Sequence, residues 1–182
     1  MIDAIVIVYV LINALLGFRY GLFRRLVHAG AFFLGLLLAQ AISPGFAQMA
    51  NFHTSTHPTD GHFLAFLGIV FGLVIIVEGL MFAFGSVIDA MNALIFDRFF
   101  GLVIGIIAGV FEMGVVLYMF TYMVATPLPS GDTHTDIVGS LSSQAGSSPT
   151  AKALSQLRPY IVVLYGPVLP PEPGNYFART FS

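Results

Sequence analysis

The chain contains no cysteine and no tryptophan, and only 9% of its 182 residues are charged. Without cysteine, disulfides, thiol nucleophiles and thiolate metal sites are excluded. Without tryptophan, any aromatic belt at a membrane–water interface has to be built from Tyr and Phe. A soluble domain carries about a quarter charged residues, so this chain cannot assemble a water-facing surface from what it has. A net charge of −2 offers no basic field for nucleic acid. The catalytic signatures G-x-S-x-G, H-E-x-x-H and the P-loop are missing too, which argues against an enzyme. No residue pattern calls for a cofactor.

What is present is apolar sequence, 57% of the chain, gathered into long runs. Crossing hydrocarbon takes about 20 mostly apolar residues in a helix. Four runs qualify or nearly so: residues 4–18, interrupted by Asn13; residues 26–42; residues 63–84, with Glu78 inside; and residues 99–124, with Glu112 inside. The first is short and needs bilayer thinning or help from Met1 and Ile2. It does not read as a signal peptide, because Met1-Ile2-Asp3 supplies no basic start and no small-x-small cleavage site follows. The expected architecture is an all-α membrane protein with four transmembrane helices over residues 1–125. A flexible, partly helical tail over residues 126–182 follows.

The connections differ. Residues 19–25 form a tight basic turn, and residues 43–62 a longer polar loop without Lys or Arg. Between residues 86 and 97 the apolar Val87, Ile88, Met91, Leu94 and Ile95 fall at helical spacing, which suggests an interfacial helix or the continuation of a span. Residues 126–149 are rich in Ser, Thr, Gly, Asp and Pro and read as a tether. Residues 151–165 suit an amphipathic helix with Leu154, Leu157 and Ile161 on one face, kinked at Pro159. Residues 169–174 read as extended or turn-like. Before residue 125 the only cations are Arg19, Arg24, Arg25 and Arg98, all in the first and third connections. By the positive-inside rule those connections are cytoplasmic, and both termini are extracytoplasmic.

Three sets of residues are functional candidates. Small residues recur every fourth position, as Gly101, Gly105 and Gly109, as Gly68 and Gly72, and as Ala31, Gly35 and Ala39. Such faces allow close helix packing, either within one bundle or between copies. Glu78 and Glu112 are intramembrane acids, costly to bury unless protonated, paired or facing water. They fit a proton- or cation-handling pair, or neutral hydrogen-bonding groups; no basic residue is evident at their depth. His28 reads as an interfacial polar residue. His53, His57, Asp60 and His62 gather in the second connection, but Pro58 and the Thr/Ser run disfavour the helix that would aim His53 and His57 at one metal. That group, like His134 between Asp132 and Asp136, reads as solvated loop, so no metal site is expected.

Two patterns converge in order and spacing: Gly17-Phe18-Arg19-Tyr20-Gly21-Leu22-Phe23-Arg24, and Asp97-Arg98-Phe99-Phe100-Gly101 leading into Gly105 and Gly109. With four apolar runs, residues 1–124 resemble the colicin V production protein family (CvpA). The resemblance implies a bacterial inner-membrane protein linked to toxin production or export and to envelope integrity. In relatives a similar module anchors an extracytoplasmic serine protease, for which this tail is too short. Relatives often place an acidic residue where Arg25 stands and a basic one where Ala108 stands. Physically, Gly17 and Gly21 permit a tight turn. Arg19, Arg24 and Arg25 suit lipid phosphates, and Asp97 either pairs with Arg98 or caps the fourth helix. The expected partners are membrane lipids, further copies of the chain, or other envelope and export proteins.

Overall fold

A chain this apolar satisfies its backbone most simply by coiling, since helices pair their own N–H and C=O groups without water. The computed structural model describes residues 1–50, 57–83, 95–129 and 132–178, and every long element among them is an α-helix. They are α1 (Ile2–Met49), α2 (Pro58–Ala83), α3 (Ile95–Ala125), α4 (Asp136–Ser147), α5 (Pro149–Ser155), α6 (Arg158–Tyr165) and α7 (Pro173–Ala178), with a 3-10 turn at Gly166–Val168. Three of these, α1 to α3, are long and apolar enough to cross a membrane. Residues 86–94 of the helix expected over 86–97, and His53, lie outside the described residues.

The first two expected spans run together in α1, which is broken at Gly21. An unbroken helix of that length would reach about 72 Å, far beyond a hydrocarbon core of about 30 Å. Gly21 adopts φ 81°, ψ 177°, a conformation only glycine takes without strain. Around it the arms 2–20 and 22–49 double back. The Arg25 guanidinium donates to Asn13 Oδ1 at 2.9 Å, although twelve residues of straight helix would hold their backbones about 18 Å apart. The second arm continues to Met49 through Pro44, so the polar connection begins later than the sequence suggests. Pro44 has no N–H for the Gln40 carbonyl one turn earlier. The Tyr176 hydroxyl donates to that carbonyl instead, at 2.9 Å.

Glycines set how closely the helices approach. A β-carbon on Gly101 would collide with the Gly17 carbonyl and the Gly21 backbone, and one on Gly105 with the Asn13 carbonyl. A β-carbon on Gly109 would stand 3.2 Å from Val10 Cα and Asn13 Cβ. The first arm thus sits directly on α3. Gly35, on the second arm, meets Val70 of α2, whereas Gly68 and Gly72 face open space.

The tail corrects the tether expectation. Its Ser and Thr residues serve as caps: Thr135 Oγ1 accepts from Val138 N to start α4, and Ser148 Oγ accepts from Ala151 N to start α5. The single kinked helix is two helices, with Pro159 in the first turn of α6. These elements fold back onto the bundle. Asp3 accepts hydrogen bonds from Ser148 and Thr150, Ile161 packs on Gly114, and Phe177 is buried against Phe63 and Phe66. The chain start, the start of α2 and the tail therefore share one end of the bundle, while Gly21 and the start of α3 share the other.

Candidate functional site

Four helical segments each bring polar side chains to one buried ring. The first arm supplies Tyr9 and Asn13, one turn apart. The second supplies Arg24, Arg25 and His28, with Arg24 and His28 four apart on one face. Glu78 comes from the last turns of α2 and Glu112 from the middle of α3. Arg25 and Glu112 are fully buried, and Asn13, Arg24 and His28 nearly so.

The contacts close on themselves. Glu78 accepts from Arg24 Nε at 2.8 Å and from Arg25 Nη2, and its Oε1 lies 2.9 Å from His28 Nδ1. Arg24 also donates to the Glu78 backbone carbonyl at 3.2 Å. Arg25 reaches Asn13, whose amide donates to the Tyr9 carbonyl at 3.2 Å. The Tyr9 hydroxyl donates to Glu112 Oε2 at 2.6 Å, and His28 Nε2 faces the same carboxyl at 3.3 Å. His28 is thus a bridge between the two acids.

Charge and hydrogen-bond capacity together fix what this ring requires. Two guanidiniums and two carboxylates balance, so the group is neutral when His28 is neutral. A neutral imidazole has a single N–H, yet both of its nitrogens face carboxyl groups. Both contacts are satisfied only if one further proton is shared among His28, Glu78 and Glu112. Glu112 Oε1 is buried and accepts no hydrogen bond among the described residues. Tyr165 of the tail packs on Phe32, and burial, aided by the Glu112 charge, pushes its phenol up to about 12.

Other candidates are placed differently from the sequence expectation. Glu78 and Glu112 do have basic partners, because the break at Gly21 puts Arg24 and Arg25 on the first turn of the second arm and aims them inward. These two arginines are therefore occupied by protein, while Arg19 and Arg98 are exposed. Asp97 neither pairs with Arg98 nor caps its own helix. Its Oδ1 accepts from Leu22 N at 3.2 Å, capping the second arm where the break leaves an N–H free. Sequence reading missed Tyr9, Asn13 and His28 as members of the ring; the signal was a polar residue in each apolar run.

At the opposite end the polar contacts tie α2 to the tail. Asp60 pairs with His134 at 2.7 Å and accepts from Thr135 N. Thr59 donates to Asp132, and His57 contacts the Thr133 carbonyl. Ser43 lies 3.1 Å from His62 and 3.0 Å from Tyr176. Among the described residues no three His, Asp or Glu side chains gather as a metal would need.

No curated protein and no solved structure matches the chain. A family model described as colicin V production protein matches residues 2–155, taking in α1, α2, α3 and the tail up to the end of α5. The match covers well over half of the sequence, and the chain belongs to the colicin V production protein family.

Proposed function

We propose that this protein is a non-enzymatic module of the bacterial inner membrane that acts in toxin production or export and in envelope maintenance. The observation that carries this reading is the family match across residues 2–155. In this reading each arm of α1 crosses the bilayer, giving four crossings. The Gly21 end of the bundle faces the cytoplasm, and both termini and the tail lie outside. Arg19 and Arg98, exposed at that end, meet lipid phosphates. Further copies of the chain or other envelope proteins are its partners.

Two experiments test it. In a colicin V producer lacking its own family member, this chain restores toxin release; an unchanged defect contradicts the export role. The native chain lacks cysteine, so single cysteines report topology cleanly. A cysteine at Ser147 reacts with an impermeant reagent added outside and one at Arg19 does not; the reverse pattern overturns the orientation.

A second reading has its own observation, the His28 bridge between Glu78 and Glu112. A proton shared among these groups suits a proton-coupled transporter or channel subunit. Glu112→Gln separates the two. Under the first reading it folds and supports toxin release. Under the second it folds, yet liposomes holding the purified variant lose proton-coupled uptake that the native protein shows.

A further inference from the structure

The described part of the tail has two cations, Lys152 and Arg158, and both line one cleft. The cleft lies between the last three turns of α3 and the helices α4, α5 and α6. It encloses about 560 Å³, within the range of about 300–1,000 Å³ usual for ligand pockets. Its floor is apolar, built from Gly114, Leu117, Phe120, Ala145, Leu154 and Ile161. Gly114 lets Ile161 pack directly onto α3 at this floor, since Ile161 Cδ1 lies 2.8 Å from where a β-carbon would stand.

The rim is of opposite character. The Arg158 guanidinium lies over the rings of Tyr118 and Tyr122, at 5.9 and 5.0 Å from their centres, and donates to the Tyr122 hydroxyl. Lys152, Ser142 and Ser155 complete it. Lys152 and Arg158 are exposed, and neither is ion-paired to a carboxylate among the described residues. The neighbouring tail surface is apolar: Tyr160, Val163 and Leu164 are more than half exposed. An apolar surface beside a tyrosine pair at the end of a membrane helix belongs at the lipid interface.

We propose that this cleft seats an anionic phospholipid, with an acyl chain against Leu154, Ile161 and Phe120 and the phosphate held by Lys152 and Arg158. Charge complementarity selects the headgroup, and the apolar floor selects a chain-bearing molecule over a free phosphate ester. The site stands apart from the buried ring and does not depend on the export reading; only the assignment to the outer leaflet rests on the proposed orientation.

Native mass spectrometry of the purified full-length protein in mixed micelles tests this. Phosphatidylglycerol and phosphatidylcholine of identical chains are offered in equal amounts. Each cation near a lipid phosphate contributes enough that the two together favour phosphatidylglycerol roughly tenfold to thirtyfold. K152Q/R158Q brings the two lipids to parity, whereas K152R/R158K keeps the preference. Ala145→Phe, which fills the cleft and leaves both cations, reduces binding of either lipid. Equal phosphatidylglycerol preference in the native protein and K152Q/R158Q overturns the proposal. Displacement of the lipid by an equal concentration of glycerol phosphate overturns it too, because the site would then read phosphate alone. Circular dichroism on each variant identifies any that fail to fold, and the paired Arg/Lys exchange then carries the test.

Discussion

Glu78 and Glu112 look alike in sequence, each a single acid in an apolar helix, yet their surroundings differ. Glu78 sits near the end of α2, partly exposed, with two guanidiniums and an imidazole on it. Glu112 sits mid-helix and fully buried, with one hydroxyl and the far side of the same imidazole. The first is a charge-compensated anchor tying the second arm of α1 to α2. The second has hydrogen-bonding capacity to spare, since its Oε1 is buried without a partner among the described residues. Depth in the helix, and the reach of arginine from a neighbouring turn, decide which role an acid takes.

The sharpest break in this comparison is Glu78→Ala. It leaves two buried guanidiniums without their carboxylate, and removing one partner of a buried pair costs about 3–5 kcal/mol. The variant is expected to lose most of its resistance to detergent unfolding, followed by circular dichroism. Glu112→Leu removes one hydroxyl contact and the imidazole contact, and hydrogen bonds between membrane helices average only about 0.6 kcal/mol. A larger loss at Glu112 than at Glu78 would invert the comparison. Between these falls Gly105→Leu, which forces α3 away from the first arm and costs about 1–3 kcal/mol by overpacking. An unchanged unfolding midpoint would mean that Gly105 does not contact Asn13. A smaller effect is expected from Asp97→Ala, which uncaps the second arm at about 0.5–2 kcal/mol. Asp97→Asn retains the accepting oxygen and should recover most of that stability. Equal losses in the two variants would show that Asp97 acts through its charge.

Much of this arrangement could be read in advance. The four-residue spacing of Gly101, Gly105 and Gly109 marks one face, and the paired glycines at 17 and 21 mark a turn. Which helix that face meets could not be read, because spacing carries no information about a partner. The arginines were legible as turn residues but not as partners of Glu78. Their direction depends on Gly21, one residue with φ 81°, which decides whether Arg24 and Arg25 point to lipid or to protein. The tail misled through composition. Its Ser and Thr suggested a tether, but Thr135 and Ser148 cap two short helices, and the tail is held on the bundle by Leu154, Ile161, Tyr165 and Phe177, which find apolar partners there. Those contacts link residues far apart in the chain, where local pattern has no reach.

The buried ring exists because arginines of the second arm neutralise the acid of α2 inside the bundle. A double-mutant cycle of Arg25→Gln and Glu78→Gln, read by detergent unfolding of purified protein, addresses it directly. Residues in direct contact couple by about 0.5–3 kcal/mol, so the double variant should lose clearly less stability than the two single losses added together. Losses that simply add would mean that Arg25 and Glu78 do not meet, and the buried ring would have to be abandoned.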